Sequence, residues 1–365
     1  MADIKDVYSK EFYQRFAKII SPVVPGFDEK QFMRQVLPKN FVSMEWKERM
    51  IHTADTLATF LPESFSKAAP MLLKIQKALV DAGEETRSFP YIFLPEMVSR
   101  AGLEHFDLSV KTMESLTQLI SAEFAVRPFL LKYEGAMIKE MMAWSTHRNA
   151  AVRRLASEGS RPRLPWGLAI PFLKKDPAPI LPILENLKQD PNEIVRRSVA
   201  NNLNDISKDN PAVVLKIAAQ WKGISAETDA IIKHGSRTLL KQGHTDILSH
   251  YGLRSAHFEV TGLKVTTPVV KMGDHLSFVF DITNKDNRKQ TVRLEYGIHY
   301  LKANGTLSRK VFKISEKEMA AKAVLQVQRK QSFKLITTRV FYPGKHELSI
   351  IVNGVEMARS SFLLK

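Results

Sequence analysis

The sequence contains no cysteine among its 365 residues. This absence excludes disulfides, thiolate nucleophiles, cysteine-ligated zinc fingers and cysteine-bound iron–sulfur clusters. It fits a cytoplasmic protein, which is where we expect the chain to act. The sequence also lacks any run of about 18 uninterrupted apolar residues and the apolar stretch of a signal peptide near its start, so we expect no membrane span and no secretion.

Several signatures of catalysis are also missing. The sequence has no GxxxxGK[ST] phosphate-binding loop, no HExxH zinc motif, no GxSxG nucleophile elbow and no GxGxxG dinucleotide fingerprint. Its 10 histidines are scattered, without the spacing of a metal site. We therefore expect neither nucleotide hydrolysis nor a metal centre, and we expect no cofactor.

Positive charge is present in excess. The chain has 54 Lys and Arg against 38 Asp and Glu, a net charge of +16 with an isoelectric point near 9.8. Such an excess favours a polyanionic partner, with nucleic acid first and an anionic membrane surface second. A soluble protein that is merely basic is the alternative that composition leaves open.

A repeated pattern runs through the first two thirds of the chain. Residues 6–250 carry apolar side chains at three- and four-residue spacing, interrupted by Pro and Gly, which predicts helices joined by short turns. Asn149 opens NAAVRR, and Asn192 opens NEIVRR 43 residues later. Periods of about 40 residues are typical of HEAT-like or armadillo-like solenoids, although a six-residue pattern can also recur by chance. We assign a helical-repeat domain to residues 1–254.

Basic side chains recur at matching positions of this repeat, and a weaker third copy contains Ile232, Lys233 and His234. Stacked helix pairs place equivalent positions on one side of the array, so we expect these side chains to line one face and follow a phosphate backbone. The basic residues concerned are Arg153, Arg154, Arg196, Arg197, Lys233, His234 and Arg237.

The pattern changes near residue 255. From Phe258 onward apolar and polar residues alternate, and Asn-Gly and Pro-Gly pairs separate the runs. About seven short strands predict an immunoglobulin-like β-sandwich, which we assign to residues 255–365. From Phe258 to the end, 19 Lys and Arg face 9 Asp and Glu, a net charge of +10. Both a second nucleic-acid contact surface and a solvated basic face are compatible with this charge.

The most unusual stretch is HRNAAVRRLASEGSRPRLPWG, residues 147–167. We predict a short helix that breaks at Gly159, followed by a segment stiffened by two prolines. A single acid, Glu158, lies amid guanidinium groups, which suits chemistry at a phosphate-rich polymer. Trp166 follows a proline in this basic loop, where it can either pack or stack on a base. The arginines of the stretch are Arg148, Arg153, Arg154, Arg161 and Arg163.

Three acids are candidates for catalysis. They are Glu158, Glu123 in LISAEFAVRPF, and Asp205 in VANNLNDIS. Glu123 follows an apolar helix and precedes an Arg-Pro pair, and Asp205 lies near the end of a helix that starts with two arginines. An acid beside arginines at a helix end is either an ion-pair partner or a catalyst, and spacing alone leaves both readings open.

Four segments resemble the AlkC/AlkD family of bacterial DNA glycosylases, which repair alkylated bases: SAEFAVRPF, NAAVRRLASEGSRPRLPW, NEIVRRSVANNLNDISKDNP and IIKHGSRTLLKQGH. The basic Ig-like tail resembles the AlkC branch. The resemblance implies a HEAT-like solenoid that holds duplex DNA in its concave face and acts without a tight pocket for a flipped base. The implied substrates are cationic bases, 3-methyladenine and 3-methylcytosine. The resemblance places the catalytic acids at Glu123, Glu158 and Asp205, and lesion or backbone contacts at Trp166, Arg154 and Arg163.

The implied reaction is compatible with these residue types. A cationic base is already a good leaving group, so carboxylates need only stabilise positive charge on the sugar and place a water. Nothing marks a lysine or N-terminal amine as a Schiff-base nucleophile, so we expect a monofunctional glycosylase that leaves an abasic site. A non-catalytic DNA-binding scaffold and a protein-interaction adaptor are the alternatives. We expect a monomer, since coiled-coil heptads are absent, associated with the bacterial nucleoid through DNA.

Overall fold

The computed structural model describes residues 4–84, 89–335 and 340–365. Within these ranges, 15 α-helices precede eight β-strands, so the predicted order of a helical-repeat array and an immunoglobulin-like β-sandwich is confirmed. The helices are α1 (Lys10–Ile20), α2 (Glu29–Val36), α3 (Trp46–Ala58), α4 (Phe65–Asp81), α5 (Phe93–Ala101), α6 (Phe106–Leu116), α7 (Val126–Trp144), α8 (Ala150–Gly159), α9 (Pro171–Lys175), α10 (Leu181–Leu187), α11 (Glu193–Asp209), α12 (Pro211–Trp221), α13 (Ala226–Gly235), α14 (Arg237–Gln242) and α15 (Thr245–His250).

Helix α1 shows why these segments fold as they do. The Ser9 side chain accepts a hydrogen bond from the backbone N–H of Phe12 and so caps the helix start. Tyr13, Phe16 and Ile20 are fully buried at three- and four-residue spacing. The helix therefore contributes one apolar stripe to an aromatic core and leaves its polar side in solvent.

The repeat predicted from the sequence reappears at the starts of α8 and α11. The Asn149 side chain accepts a hydrogen bond from the N–H of Ala151 at 2.8 Å. The Asn192 side chain accepts the same bond from the N–H of Ile194 at 2.9 Å. Each asparagine thus satisfies a backbone N–H that the first turn of its helix leaves without an intrahelical partner.

The chain forms two compact units. One contains the described residues up to Val214 together with Trp221–Gly235, and the other contains Leu215–Gln220 and Ser236–Lys365. The second unit thus includes α14 and α15 as well as all the strands, while the predicted domain boundary at residues 254 and 255 stays a prediction. None of the helices in the described ranges is long and apolar enough to cross a membrane.

The strands of the second unit form two sheets. The strands are β1 (Phe258–Val265), β2 (Val269–Val270), β3 (His275–Asn284), β4 (Gln290–Leu301), β5 (Leu307–Met319), β6 (Val324–Ser332), β7 (Gly344–Val352) and β8 (Val355–Leu364). One sheet has the order β1-β3-β6 and the other the order β2-β8-β7-β4-β5. Buried alternate residues such as Phe278, Phe280, Tyr296 and Leu348 belong to their common core. The predicted Asn353-Gly354 turn joins β7 to β8, with both residues at positive φ (46° and 80°), as a two-residue hairpin requires.

Candidate active site

The candidate site lies in the first unit, around the ends of α8 and α11. Helix α8 ends at Gly159, as predicted. A Cβ at this position would lie 2.6 Å from Cγ2 of Val126, so only glycine lets the end of α8 approach α7 this closely. The chain then leaves the helix through a loop, residues 160–170, which carries Arg161, Arg163 and Trp166.

Arg161 joins two of the three candidate acids. One terminal nitrogen (NH1) donates to Oε1 of Glu158 at 2.5 Å, and its Nε donates to Oδ2 of Asp205 at 2.7 Å. The three side chains are 8%, 6% and 1% exposed. Burial by itself lowers the pKa of Arg161, but the two carboxylates outweigh it and hold that pKa above its ordinary value. Glu158 and Asp205, which are 47 positions apart in the sequence, thus meet at one guanidinium group.

Two residues that the sequence did not single out complete this ion cluster. The Ser198 hydroxyl donates to Oε2 of Glu158 at 2.6 Å. The Lys208 ammonium donates to Oδ1 of Asp205 at 2.8 Å. Each of the four carboxylate oxygens therefore accepts at least one hydrogen bond. Lys208 lies three residues after Asp205 and is recognisable as a same-face helix pair, whereas Ser198 gives no sequence signal.

Glu123 joins the cluster through a second arginine. Its Oε2 accepts hydrogen bonds at 2.8 Å from both NH1 of Arg154 and the hydroxyl of Ser121. The other terminal nitrogen of Arg154 (NH2) lies 4.0 Å from Oε2 of Glu158. Within the part of the chain that the structure describes, no hydrogen bond reaches Oε1 of Glu123. At 17% exposed, Glu123 is also the most accessible of the three acids.

A recess of about 250 Å³ adjoins Glu123. Phe89, Ile120 and Ile194 contribute apolar surface to it, while Glu123 and Arg154 contribute charge. This recess thus combines apolar surface with one carboxylate and one guanidinium group. Among residues 4–84, 89–335 and 340–365, no group of three or more His, Asp or Glu is placed to hold a metal ion.

Trp166 stands out in both backbone and exposure. Its φ of 62° puts a bulky side chain in the left-handed region, which costs on the order of 1 kcal/mol or more and is concentrated at functional sites. The side chain is 60% exposed, and its ring centroid lies 5.4 Å from that of the buried Trp46. Lys47 donates to the Trp166 carbonyl at 3.3 Å. The exposed indole of Trp166 therefore packs against Trp46 of α3, a contact that the sequence did not indicate.

Besides Arg154 and Arg161, two more arginines of the predicted DNA-binding set form ion pairs with acids of the first unit. Arg153 binds both carboxylate oxygens of Asp190, at 2.5 and 3.0 Å, and Asp190 is almost fully buried. Arg163 binds both oxygens of the more exposed Asp209, at 2.7 and 2.6 Å. DNA contact by these two arginines stays a prediction.

The other predicted basic residues have different surroundings. Arg148, Arg197 and Lys233 are exposed and take part in no ion pair among the described residues. Arg196 donates to the carbonyls of Asp190 and Pro191.

The last two members of the basic set lie further along the chain. His234 shares a hydrogen bond of 3.1 Å with Asn201, and with Arg196 and Arg197 it lines a groove of about 590 Å³ between α11 and α13. Arg237 begins α14 and belongs to the second compact unit.

Arg127 is a further buried residue that the sequence did not single out. It lies in the first turn of α7 and is fully buried. Its two terminal nitrogens donate to the carbonyls of Gly159 and Arg161, both at 2.9 Å, and its Nε donates to the carbonyl of Leu168. An arginine that precedes Pro128 in the sequence looks like an ordinary helix-start residue, so neither its burial nor its partners were predictable.

Known proteins resemble this chain in both its helical region and its β-sandwich. The family described as the C-terminal Ig-like domain of the uncharacterised protein YhaZ matches residues 259–365. The uncharacterised protein YhaZ of Bacillus subtilis is 42% identical over 355 residues, which cover 97% of each chain. A solved structure that is similar to this chain is that of the alkylpurine DNA glycosylase AlkC of Pseudomonas fluorescens, bound to DNA containing an abasic site analogue. The two sequences are 33% identical, and the superposition covers 100% of each chain with a TM-score of 0.88. The similarity therefore extends over the helices and the sandwich alike.

Proposed function

Since the chain belongs to the AlkC/AlkD family, in its AlkC branch, we propose that it is a DNA glycosylase that removes alkylated bases from duplex DNA. One observation carries the proposal. A chain similar over its full length to such a glycosylase holds Glu123, Glu158 and Asp205 in a single cluster, linked by Arg154 and Arg161. Three acids from separate segments meet in one cluster, which favours a chemical role.

The substrates of this proposal are cationic bases, 3-methyladenine and 3-methylcytosine. A group of carboxylates creates a negative potential that favours a positively charged base over the neutral bases of undamaged DNA. When the N-glycosidic bond breaks, its electron pair moves onto the base and neutralises it. The base therefore leaves without a general acid.

The carboxylates have two tasks in this mechanism. Glu158 and Asp205 are held by Arg161 and stabilise the positive charge that develops on the sugar as the bond lengthens. Glu123 places the attacking water, because its Oε1 accepts no hydrogen bond from the described residues. The water oxygen bonds to C1′ of the sugar and its proton passes to the carboxylate or to solvent. The products are the free base and an abasic site, with no covalent enzyme intermediate.

The exposed side chains complete the proposal. Trp166 is exposed on the loop that also carries Arg161 and offers a face on which a base can stack, so the lesion is handled without a tight pocket. Arg148, Arg197 and Lys233 hold phosphates of the duplex. A single copy of the chain carries all three acids, so we propose that it acts as a monomer.

The test is the release of free base from duplex DNA treated with a methylating agent, followed by chromatography. We expect 3-methyladenine and 3-methylcytosine from the intact protein and at least about 100-fold slower release from Asp205→Asn. Glu29→Gln, an exposed acid in the first turn of α2, is the matched control for loss of one negative charge and keeps full activity. Salt-sensitive binding without base release supports the scaffold alternative, and binding with no preference for DNA over other polyanions supports the adaptor.

A further inference from the structure

The Arg127 side chain holds both ends of the loop that follows α8. Its guanidinium group donates to the carbonyl of Gly159 at the end of α8, to that of Arg161 at the start of the loop and to that of Leu168 near the loop's end. Trp166 lies between Arg161 and Leu168 in the sequence. A fully buried fork of donors thus ties both ends of the segment that carries the central arginine of the acid cluster.

The loop fits closely around this side chain. A Cβ at Gly167 would lie 3.0 Å from Cδ of Arg127, 3.3 Å from its Nε and 3.0 Å from Cδ2 of Leu164. Any larger residue at position 167 must push the arginine or the loop aside. The glycine therefore lets the backbone next to Trp166 lie directly against the Arg127 side chain.

Arg127 differs from the nearby arginines Arg154 and Arg161 in its hydrogen-bond partners. The hydrogen-bond partners that the structure gives it are carbonyl oxygens, whereas Arg154 and Arg161 contact carboxylates. Burial lowers the pKa of Arg127 to about 10, nearby Arg161 adds to this effect, and Asp205, Glu123 and Glu158 oppose it. Arg127 therefore remains a cation at neutral pH, and its charge acts on all three candidate acids.

We infer that Arg127 is a positioning residue for the proposed glycosylase reaction, which fixes residues 159–168 and thereby the place of Arg161. The inference rests on the proposed function. The fork of donors holds the backbone on both sides of Arg161, and Arg161 in turn holds Glu158 and Asp205.

Two variants test this role. Arg127→Lys keeps one donor but loses the planar fork, and we expect about 10-fold slower single-turnover base release. Arg127→Met loses every donor, and we expect about 100-fold slower release, while both variants bind duplex DNA with wild-type affinity because Arg127 is buried. The partial recovery in Arg127→Lys distinguishes a positioning role from a general loss of folding.

Hydrogen exchange provides a measurement that does not depend on activity. We expect amides of residues 159–168 to exchange faster in both Arg127 variants and in Gly167→Ala, while peptides of α1 to α4 keep their wild-type protection. The Gly167 variant keeps Arg127 and remains informative if Arg127→Met fails to fold. Wild-type exchange of residues 159–168 in folded variants would overturn the inference. So would a rate loss in both Arg127 variants that only follows the folded fraction. If the variants exchange faster in residues 159–168 but the wild-type protein releases no base, Arg127 still anchors this segment and the proposed function is wrong.

Discussion

Helices α8 and α11 begin alike and end differently. Both start with a capping asparagine, and in both an arginine four residues later donates to two backbone carbonyls of the preceding turn. Arg153 donates to the carbonyls of residues 147 and 148, and Arg196 to those of residues 190 and 191. The helices then diverge in length, with 10 residues in α8 and 17 in α11.

The different endings build the candidate site. Beyond Gly159 the first copy contains two prolines, which a helix interior does not tolerate, whereas α11 runs on to Asp209. Arg161 and Arg163 lie in the loop of the first copy, and they pair with Asp205 and Asp209 in the extension of the second. The shared part of the repeat therefore sets helix starts, and the part that differs brings arginines and acids together.

The largest expected effect comes from the acid that only α8 carries. The position nine residues after the cap is Glu158 in α8 and Asn201 in α11. We expect Glu158→Gln to slow base release by about 100- to 1,000-fold, because it removes a buried negative charge beside the proposed oxocarbenium ion. Single-turnover release from methylated duplex measures this loss, with Glu29→Gln as the charge-matched control. Unchanged release by folded Glu158→Gln would leave Glu158 as a structural ion-pair partner.

The sequence predicted local features better than contacts between helices. Gly159 as a helix end and the Asn353-Gly354 turn depend on neighbouring residues, so local patterns reveal them. The pairing of Arg161 with Asp205, 44 residues away, depends on how whole helices stack. For the same reason the partners of Arg153 and the burial of Arg127 were not predictable, although the residue types were visible.

The next largest effect is a difference in stability between variants of Arg153 and Arg196, which occupy equivalent positions in α8 and α11. Arg153 also pairs with Asp190, whose side chain is 3% exposed, and its removal leaves that carboxylate with the backbone N–H of Asn192 as its remaining hydrogen-bond donor. We expect Arg153→Ala to lower the free energy of unfolding by about 2–3 kcal/mol. Arg196→Ala loses only bonds to carbonyls near the surface and should lower it by about 1 kcal/mol. Urea unfolding of both variants measures the difference, and equal losses would mean that the Asp190 pair adds nothing.

A smaller effect tests whether the helix starts are equivalent. Asn149→Ala and Asn192→Ala each remove one capping hydrogen bond, so each should lower the free energy of unfolding by about 1 kcal/mol. Asn149→Ser and Asn192→Ser keep a capping oxygen and should recover most of the loss. The same urea titration measures all four variants. A cap that matters at one helix alone would show that the two starts differ in spite of their common geometry.

The smallest effect concerns the ion pair between Arg163, in the loop after α8, and Asp209, at the end of α11; this is the outer pair of the site. Both side chains are partly exposed, at 39% and 23%, so Asp209→Asn should lower the free energy of unfolding by about 0.5–1 kcal/mol at neutral pH and by less in high salt. The hydrogen bonds from Arg163 hold the pKa of Asp209 below its ordinary value of 3.8. The folded state therefore binds its proton less readily than the unfolded state, so the contribution is fully present above pH 3.8 and is lost as the pH falls through the lower, folded value. Urea unfolding should therefore distinguish wild type from Asp209→Asn at neutral pH, and the difference should shrink as the pH is lowered below 3.8. Glu158→Gln should slow base release at neutral pH regardless of this outer pair. A difference that persists at acid pH would assign the contribution of Asp209 to packing rather than to its charge.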